Sequence, residues 1–496
     1  MELLQFDIDI MAISLALLGF VTLLAHLYSG LVMKPRRLRS QLTNQGISGP
    51  PPWFFLGHIM QIDKACSSSG GIDKAPTMEA STLHNNAAIL FPIFEQWRKQ
   101  DGEVFSFSLG NTPILYVNKH EVVKKMVTCT SWDCGKPTYQ HKDRGPLFGQ
   151  GIVISNGASW AHQRKLIVPE LYMDKVNGMF NLITECSVIL LNSWNNIKID
   201  NYIRRFSGDA ISRACFGSNY AKGEQIFQKL DKLQHAIYLP TKSNRKAWAI
   251  EKEIANLILK TVKERQAAGH EKDLMQMILE GAINSGLGRE ATDQFISVNC
   301  KNIYLAGNET TAISATWTLM LLASNLQWQE RVRAEVLEVC QGRTPDADML
   351  LKMKRLTMVI HESMRLYPPT PVVSREAFAD MKFEDIIVPK GVIVWTVMLT
   401  LHTDPEIWGP DSYTFNPERF ANGIIGACKL PQLYIPFGVG PRVCIGQNFA
   451  MAELKVLISL ILSKFSFSVS PNYIHKPSLR LLIEAEHGVR LLVRKL

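Results

Sequence analysis

The sequence predicts a predominantly helical chain, and three stretches carry that expectation. Residues from about Thr292 to Ser324 repeat apolar side chains at helical spacing. Gln447 to Ser463 does the same, with Phe449, Leu454, Leu457, Ile458 and Ile461 on one face and Glu453 and Lys455 on another. From Ile10 to Met33 there is no formal charge, and the run is long enough to cross a bilayer as one helix. With 496 residues and 46% hydrophobic content, the chain can also bury a large core.

In chain order, the apolar stretch comes first. Glu2, Asp7 and Asp9 precede it, while Lys34, Arg36, Arg37 and Arg39 follow it, so the positive-inside rule places the bulk of the chain in the cytosol. A cleaved signal peptide would begin with basic residues and have a shorter apolar core, so residues 1–33 read as an uncleaved single-pass anchor. Residues 34–52 read as a basic linker ending in Gly49-Pro50-Pro51-Pro52, a stiff and extended hinge, and residues 53–496 as one large domain. Nine scattered cysteines without CxxC spacing argue for reduced thiols and against a disulfide scaffold. The net charge of +9 suits anionic lipid and an acidic partner protein. No aromatic-interleaved basic stripe or recognised module accompanies it, which excludes nucleic acid as the partner.

The most informative run is Phe437-Gly438-Val439-Gly440-Pro441-Arg442-Val443-Cys444-Ile445-Gly446. A cysteine that ligates iron must lose its proton, so its site has to favour negative charge on sulfur. Gly438, Gly440 and Gly446 let main chain approach a flat ring and turn amide groups toward the sulfur. The helix that follows adds its N-terminal dipole. Arg442 can reach an anionic group, and Phe437 can screen the sulfur. Gly438-Val439-Gly440 also opens like a dinucleotide-binding GxGxxG, but Val443 fills the third glycine position and no βαβ unit surrounds it.

This run resembles the haem-binding signature FxxGxRxCxG of the cytochrome P450 superfamily, and three further motifs extend the resemblance over residues 50 to 496. It implies a mainly α fold with a small β-rich lobe, haem b as cofactor, and Cys444 as its axial iron ligand. Ala306-Gly307-Asn308-Glu309-Thr310-Thr311 is similar to the family's oxygen-binding groove. There Gly307 would leave room for dioxygen, Thr310 would donate a hydrogen bond to it, and Glu309 would relay protons from solvent. An acid beside a hydroxyl in a buried helix is costly unless used. Asn308 departs from the histidine common in similar chains, and its Asn-x-Thr sequon is unusable in a buried helix. Glu362-Ser363-Met364-Arg365 resembles the family's ExxR, joined by Arg419 of Pro417-Glu418-Arg419-Phe420 in a structural, non-catalytic triad. His361-Glu362 is no zinc motif, because Arg365 stands where a second histidine is needed. Trp160 and Arg164 resemble the WxxxR pair, and Arg375 a strand arginine. With Arg442 they would clamp the haem propionates, since buried carboxylates need cationic partners.

No flavin or nicotinamide motif is present, so the resemblance implies electrons from NADPH through a separate flavoprotein, the NADPH-cytochrome P450 reductase. It also implies O2 and a small lipophilic substrate, at the endoplasmic reticulum membrane. By analogy the substrate pocket is lined by Trp132 to Phe148, part of Phe206 to Tyr238, Asn302 to Ala306, Pro369 to Val373 and the turn at Ala485-Glu486. Relatives often carry proline near Ala485. The chain is similar to plant members that hydroxylate gibberellins and ent-kaurane acids, or oleanane-type triterpenoids. Other classes are a haem-thiolate isomerase or dehydratase acting on a hydroperoxide, which needs no proton relay, and a non-catalytic haem sensor, which needs no reductase.

Overall fold

The computed structural model describes residues 2–69, 83–191, 197–217, 223, 225–226, 228–230, 232–233, 243–268, 273–286 and 288–496. Its contacts divide the chain into two compact units, one of residues 1–71, 91–126 and 374–396, the other of the remainder.

The first unit begins with helix α1 (Glu2–Tyr28), which passes through a single π turn (Ser29–Met33) into α2 (Lys34–Thr43). Met11–Thr43 is long and apolar enough to cross a membrane, and its apolar window is nowhere buried by protein. The basic segment expected as a linker is therefore helical over its first ten residues. Pro35 sits where a helix start tolerates it. Leu38 and Leu42, spaced i,i+4, are buried on one face and leave Arg36 and Arg37 exposed, while the half-buried Arg39 donates to the Ser108 hydroxyl. Farther along, α3 (Pro92–Asp101) covers an antiparallel hairpin of β1 (Val104–Leu109) and β2 (Thr112–Val117). The two-residue turn Gly110-Asn111, with Gly110 at φ 57°, is of the kind that matches strand twist. Phe105 stacks on Tyr116 with centroids 4.4 Å apart, and Phe94 meets Phe107 edge-on at 5.0 Å. Strands β3 (Val372–Ala377) and β4 (Ile393–Val397) extend the sheet in the order β1-β2-β4-β3. This is the small β-rich lobe.

The second unit is helical. Its axis is α7 (Arg289–Ser324), 36 residues apolar on nearly every side and buried almost throughout from Ile296 to Ala323, the pattern of a helix enclosed by others. Around it lie α4 (Gly157–Ile167), α5 (Ile199–Phe216), α6 (Ser243–Ala268), α8 (Lys354–Leu366) and α9 (Gln447–Lys464). Strands β5 (Phe465–Val469), β6 (Ile483–Ala485) and β7 (Arg490–Lys495) close the chain, with β5 and β7 paired antiparallel.

Candidate active site

The loop before α9 is shaped by its main chain. Cys444 donates its amide to the Phe437 carbonyl (2.7 Å) and Gly438 to that of Ile435 (2.9 Å). Gly438 and Gly440 both take φ 71°, and a Cβ on Gly440 would lie 2.8 Å from the Val127 carbonyl oxygen, so glycine is required there on two counts. The Cys444 thiol keeps accessible surface. Protein atoms nevertheless close round it, and this burial raises the thiol above the ordinary cysteine value, while the Gly446 amide and then the Arg164 guanidinium pull it back. Gly446 caps the start of α9, so the helix N-terminus does face the sulfur.

Two arginines strap this loop to α4. Arg164 donates to the Val443 carbonyl (3.0 Å). The Arg442 guanidinium lies 4.3 Å from the Trp160 ring centre and donates to the Ser155 carbonyl (3.1 Å) and to Asn156 Oδ1 (2.8 Å). Asn156, absent from the sequence reading, also exchanges hydrogen bonds with the Lys136 main chain (2.7 and 2.9 Å). Arg375 belongs to the first unit, where it donates to the Ser374 carbonyl (2.9 Å).

In the middle of α7, Ala306 is exposed and Gly307 and Thr310 are partly so, although Leu305, Asn308, Glu309 and Thr311 beside them are buried. This makes an accessible notch in an otherwise enclosed helix. Two contacts define it. Thr310 Oγ1 donates to the Ala306 carbonyl (2.7 Å), so its proton is already committed and it offers the notch an acceptor. A Cβ on Gly307 would come within 2.7 Å of Ile211 Cδ1, so this glycine lets α5 pack against α7.

Glu309, 8% exposed, pairs with Arg204 of α5 (3.3 Å). Arg204 also binds Glu484 of β6, which pairs with Arg480 (3.1 Å). The four side chains form a ladder from α7 to the surface, where Arg480 is 56% exposed. Burial opposes the Arg204 charge, but Glu309 and Glu484 outweigh it and hold the guanidinium above its ordinary value. No local sequence signal pointed to Arg204.

Glu362, Arg365 and Arg419 do meet. Arg365 and Glu362 are completely buried and form a two-pronged pair (2.7 and 2.8 Å), with Arg419 Nε 3.5 Å from the same carboxylate. Arg365 also donates to the carbonyls of His402 and Thr414 (2.8 and 3.1 Å). These bonds tie α8 to the chain leading into the Cys444 loop.

The pocket segments are placed unevenly. Trp132 is largely exposed, whereas Pro146 to Phe148 are buried and tethered by α7: Lys301 donates to the Pro146 carbonyl (3.0 Å) and Asn302 to that of Phe148 (2.8 Å). Asn302 is thus a latch for this loop, and of Asn302 to Ala306 only Ala306 is exposed. Within Phe206 to Tyr238, residues 218–222 and 234–238 lie outside the described residues. Ala485 and Glu484 line a small charged cleft with Asp200, Arg204 and Trp317. Glu453, expected on the polar face of α9, is fully buried.

A haem would bring one iron and two carboxylates. The residues fit it: the sulfur is accessible and faced by an amide, and the half-buried Arg164 guanidinium has no carboxylate partner among the described residues. The family model described as Cytochrome P450 matches residues 77–489. The chain is 45% identical over 503 residues to Cytochrome P450 714C2 of Oryza sativa subsp. japonica, covering 96% of each. It is 42% identical over 510 residues to Cytochrome P450 714A2 of Arabidopsis thaliana, again 96% of each, and 39% identical over 526 residues to Cytochrome P450 714D1 of Oryza sativa subsp. japonica, covering 93% of the chain and 90% of that relative. A family match across most of the chain joins the geometry in one conclusion: the chain belongs to the cytochrome P450 family, the haem monooxygenases that draw electrons from a redox partner.

Proposed function

We propose that the protein is a haem-thiolate hydroxylase acting on a lipophilic plant metabolite. The observation that carries this reading is the Cys444 loop, whose accessible sulfur is faced by the Gly446 amide and strapped to α4 by two guanidiniums. That is the setting a single soft, anionic iron ligand needs. Haem b bound there would supply the reductive activation of O2, its thiolate ligand favouring O–O cleavage and insertion of one oxygen atom into a C–H bond. Cys444 is the proposed axial ligand. Arg442, Arg164 and Trp160, with Arg375 added by resemblance, are the proposed propionate clamp, and Phe437, Gly438 and Gly446 keep the loop in shape.

Ala306 gives the notch a small apolar wall, and Thr310 Oγ1 accepts a proton there and passes it on. Glu309 reaches solvent protons by releasing Arg204, whose charge Glu484 then holds alone. A hydroperoxide isomerase or dehydratase has no use for such a ladder, and a haem sensor has none for a reductase. The proposed electron source is NADPH through the membrane-bound cytochrome P450 reductase. The proposed setting is the endoplasmic reticulum, with the catalytic domain in the cytosol; the basic residues after the apolar helix support it. For the substrate, a diterpenoid such as a gibberellin or ent-kaurane acid comes first and an oleanane-type triterpenoid second. The resemblance to that plant branch and the plant sources of the relatives support this.

Reduced protein under carbon monoxide should show the red-shifted Soret band of a thiolate-bound haem, and Cys444→Ala should lose it. A wild-type protein that loads haem without that band would refute the ligand assignment. Microsomes holding protein and reductase should convert one of the two terpenoid acid classes to hydroxylated products identified by mass and NMR; turnover of neither removes the terpenoid reading.

A further inference from the structure

Trp317 stands seven residues after Thr310 on α7, two turns on and on the same face. Its ring stacks on Tyr367, which follows α8 directly, with centroids 4.2 Å apart and planes inclined by 18°. Both side chains are fully buried. The Tyr367 hydroxyl lies between two imidazoles, 2.8 Å from His84 Nδ1 and 3.1 Å from His475 Nε2. The other nitrogen of His475 lies 2.9 Å from the Tyr473 hydroxyl, and both of these residues keep some surface. A continuous line of rings thus runs from the central helix to the surface between β5 and β6.

Apolar rings would fill this space without burying polar groups, which are costly to take from water. The rings present are instead indole, phenol and imidazole, and tryptophan and tyrosine are among the side chains that give up an electron most easily. A phenol that loses an electron becomes a strong acid, so its oxidation needs a base within hydrogen-bond reach. Burial keeps both imidazoles neutral, lowering His84 to about 3 and His475 to about 4, so each retains one lone pair. Every contact is satisfied when Tyr473 donates to His475 Nδ1, His475 Nε2 donates to the Tyr367 oxygen, and Tyr367 donates to His84 Nδ1. Burial also holds the Tyr367 phenol above its ordinary value, so it has a proton to give. Trp317 faces no such base: its Nε1–H donates to the Ile483 carbonyl (2.9 Å).

We propose that Trp317, Tyr367 and Tyr473 form a relay that carries an oxidising equivalent from the notch at Ala306 and Thr310 to the surface when no substrate consumes it. This rests on the reading of the notch as the place where O2 is reduced, and the oxidant is the haem oxidised there. An electron leaves Trp317 for that oxidised haem, and an indole radical cation remains. Tyr367 refills it with one electron and gives its phenol proton to His84 Nδ1. Tyr473 then reduces the Tyr367 radical and passes its own proton to His475 Nδ1, while His84 returns the first. A thiol at the surface gives Tyr473 a hydrogen atom and becomes a thiyl radical, and His475 releases its proton to solvent. Each passage moves one electron inward and one proton outward.

The test uses full-length protein in vesicles, without substrate, mixed with meta-chloroperbenzoic acid and freeze-quenched. Electron paramagnetic resonance should show a tyrosyl radical in the wild type, and Tyr367→Phe should lose it while keeping the thiolate-type carbon monoxide band. His84→Leu, which removes the proton acceptor, should lower the radical yield by about tenfold or more. Tyr473→Phe should keep the radical but lose its quenching by glutathione, and this half-buried position carries the test if Tyr367→Phe does not fold. The relay is overturned by a wild type that has the thiolate-type band and no tyrosyl radical. It is equally overturned by a radical undiminished in Tyr367→Phe or His84→Leu, or by one that glutathione quenches as fast in Tyr473→Phe as in the wild type. A wild type without the thiolate-type band overturns the underlying haem assignment instead.

Discussion

Two acid–arginine clusters in the second unit use the same chemistry for different ends. Around Glu362 the charges are sealed: Glu362 and Arg365 have no exposed surface, and the Asn416 amide donates to the carboxylate as well (2.8 Å). Around Glu309 the side chains keep a little surface, 29% for Arg204 and 11% for Glu309, and the ladder ends at the exposed Arg480. A sealed pair cannot open without leaving a bare charge in the core. A pair that reaches solvent can exchange partners at modest cost. Burial therefore separates a pair that is fixed from one that is free to change partners.

The contrast breaks most sharply at Arg365. Arg365→Ala should destabilise the protein by about 3–5 kcal/mol, the usual cost of orphaning a buried charge, seen as a lower unfolding temperature and poor haem incorporation. A milder probe is acid. His402 lies against the sealed cluster and accepts the Ile435 amide on Nε2 (3.1 Å), so its ring is neutral. Burial, then Arg365, lowers its pKa to about 3. A folded pKa below the unfolded value means the stability is fully present above about 6.5 and falls away as pH drops toward the folded value. The loss should reach on the order of 2 kcal/mol by pH 5, read as a slope in denaturant unfolding that His402→Gln flattens. At the open cluster the expected stability change is smallest. Arg204→Met, which takes the guanidinium away from the Glu309 carboxyl, should shift unfolding by about 1–2 kcal/mol, yet alter the solvent isotope effect on turnover. A large loss of stability there, with proton handling unchanged, would make the ladder a second fixed cluster.

What could be read before folding followed the range of the interactions. The glycine and cysteine offsets of the Cys444 loop and the i,i+3 pair at Glu362 and Arg365 are local, so spacing alone announced them. The period of α7 and α9 likewise gave both helices to within a few residues. Arg204 stands 105 residues before Glu309, and no local pattern joins them. The packing of Gly307 against Ile211 joins two helices, and no local pattern shows it. Glu453 looked solvent-facing because a charge at helical spacing ordinarily is, and only the meeting of three helices removes it from water. Asn302 was read as pocket wall for the same reason: its partners Phe148 and Val153 are reached across the fold.

The continuous helix from Glu2 to Thr43 has a mechanical meaning. At about 1.5 Å per residue it is a rod on the order of 60 Å long, passing its π turn without a break. Because Leu38 and Leu42 fix its far end into the first unit, the rod is a mast and not a tether. In a bilayer, tilt of its apolar half would be transmitted as tilt of the unit it carries, and lipid thickness would then set orientation.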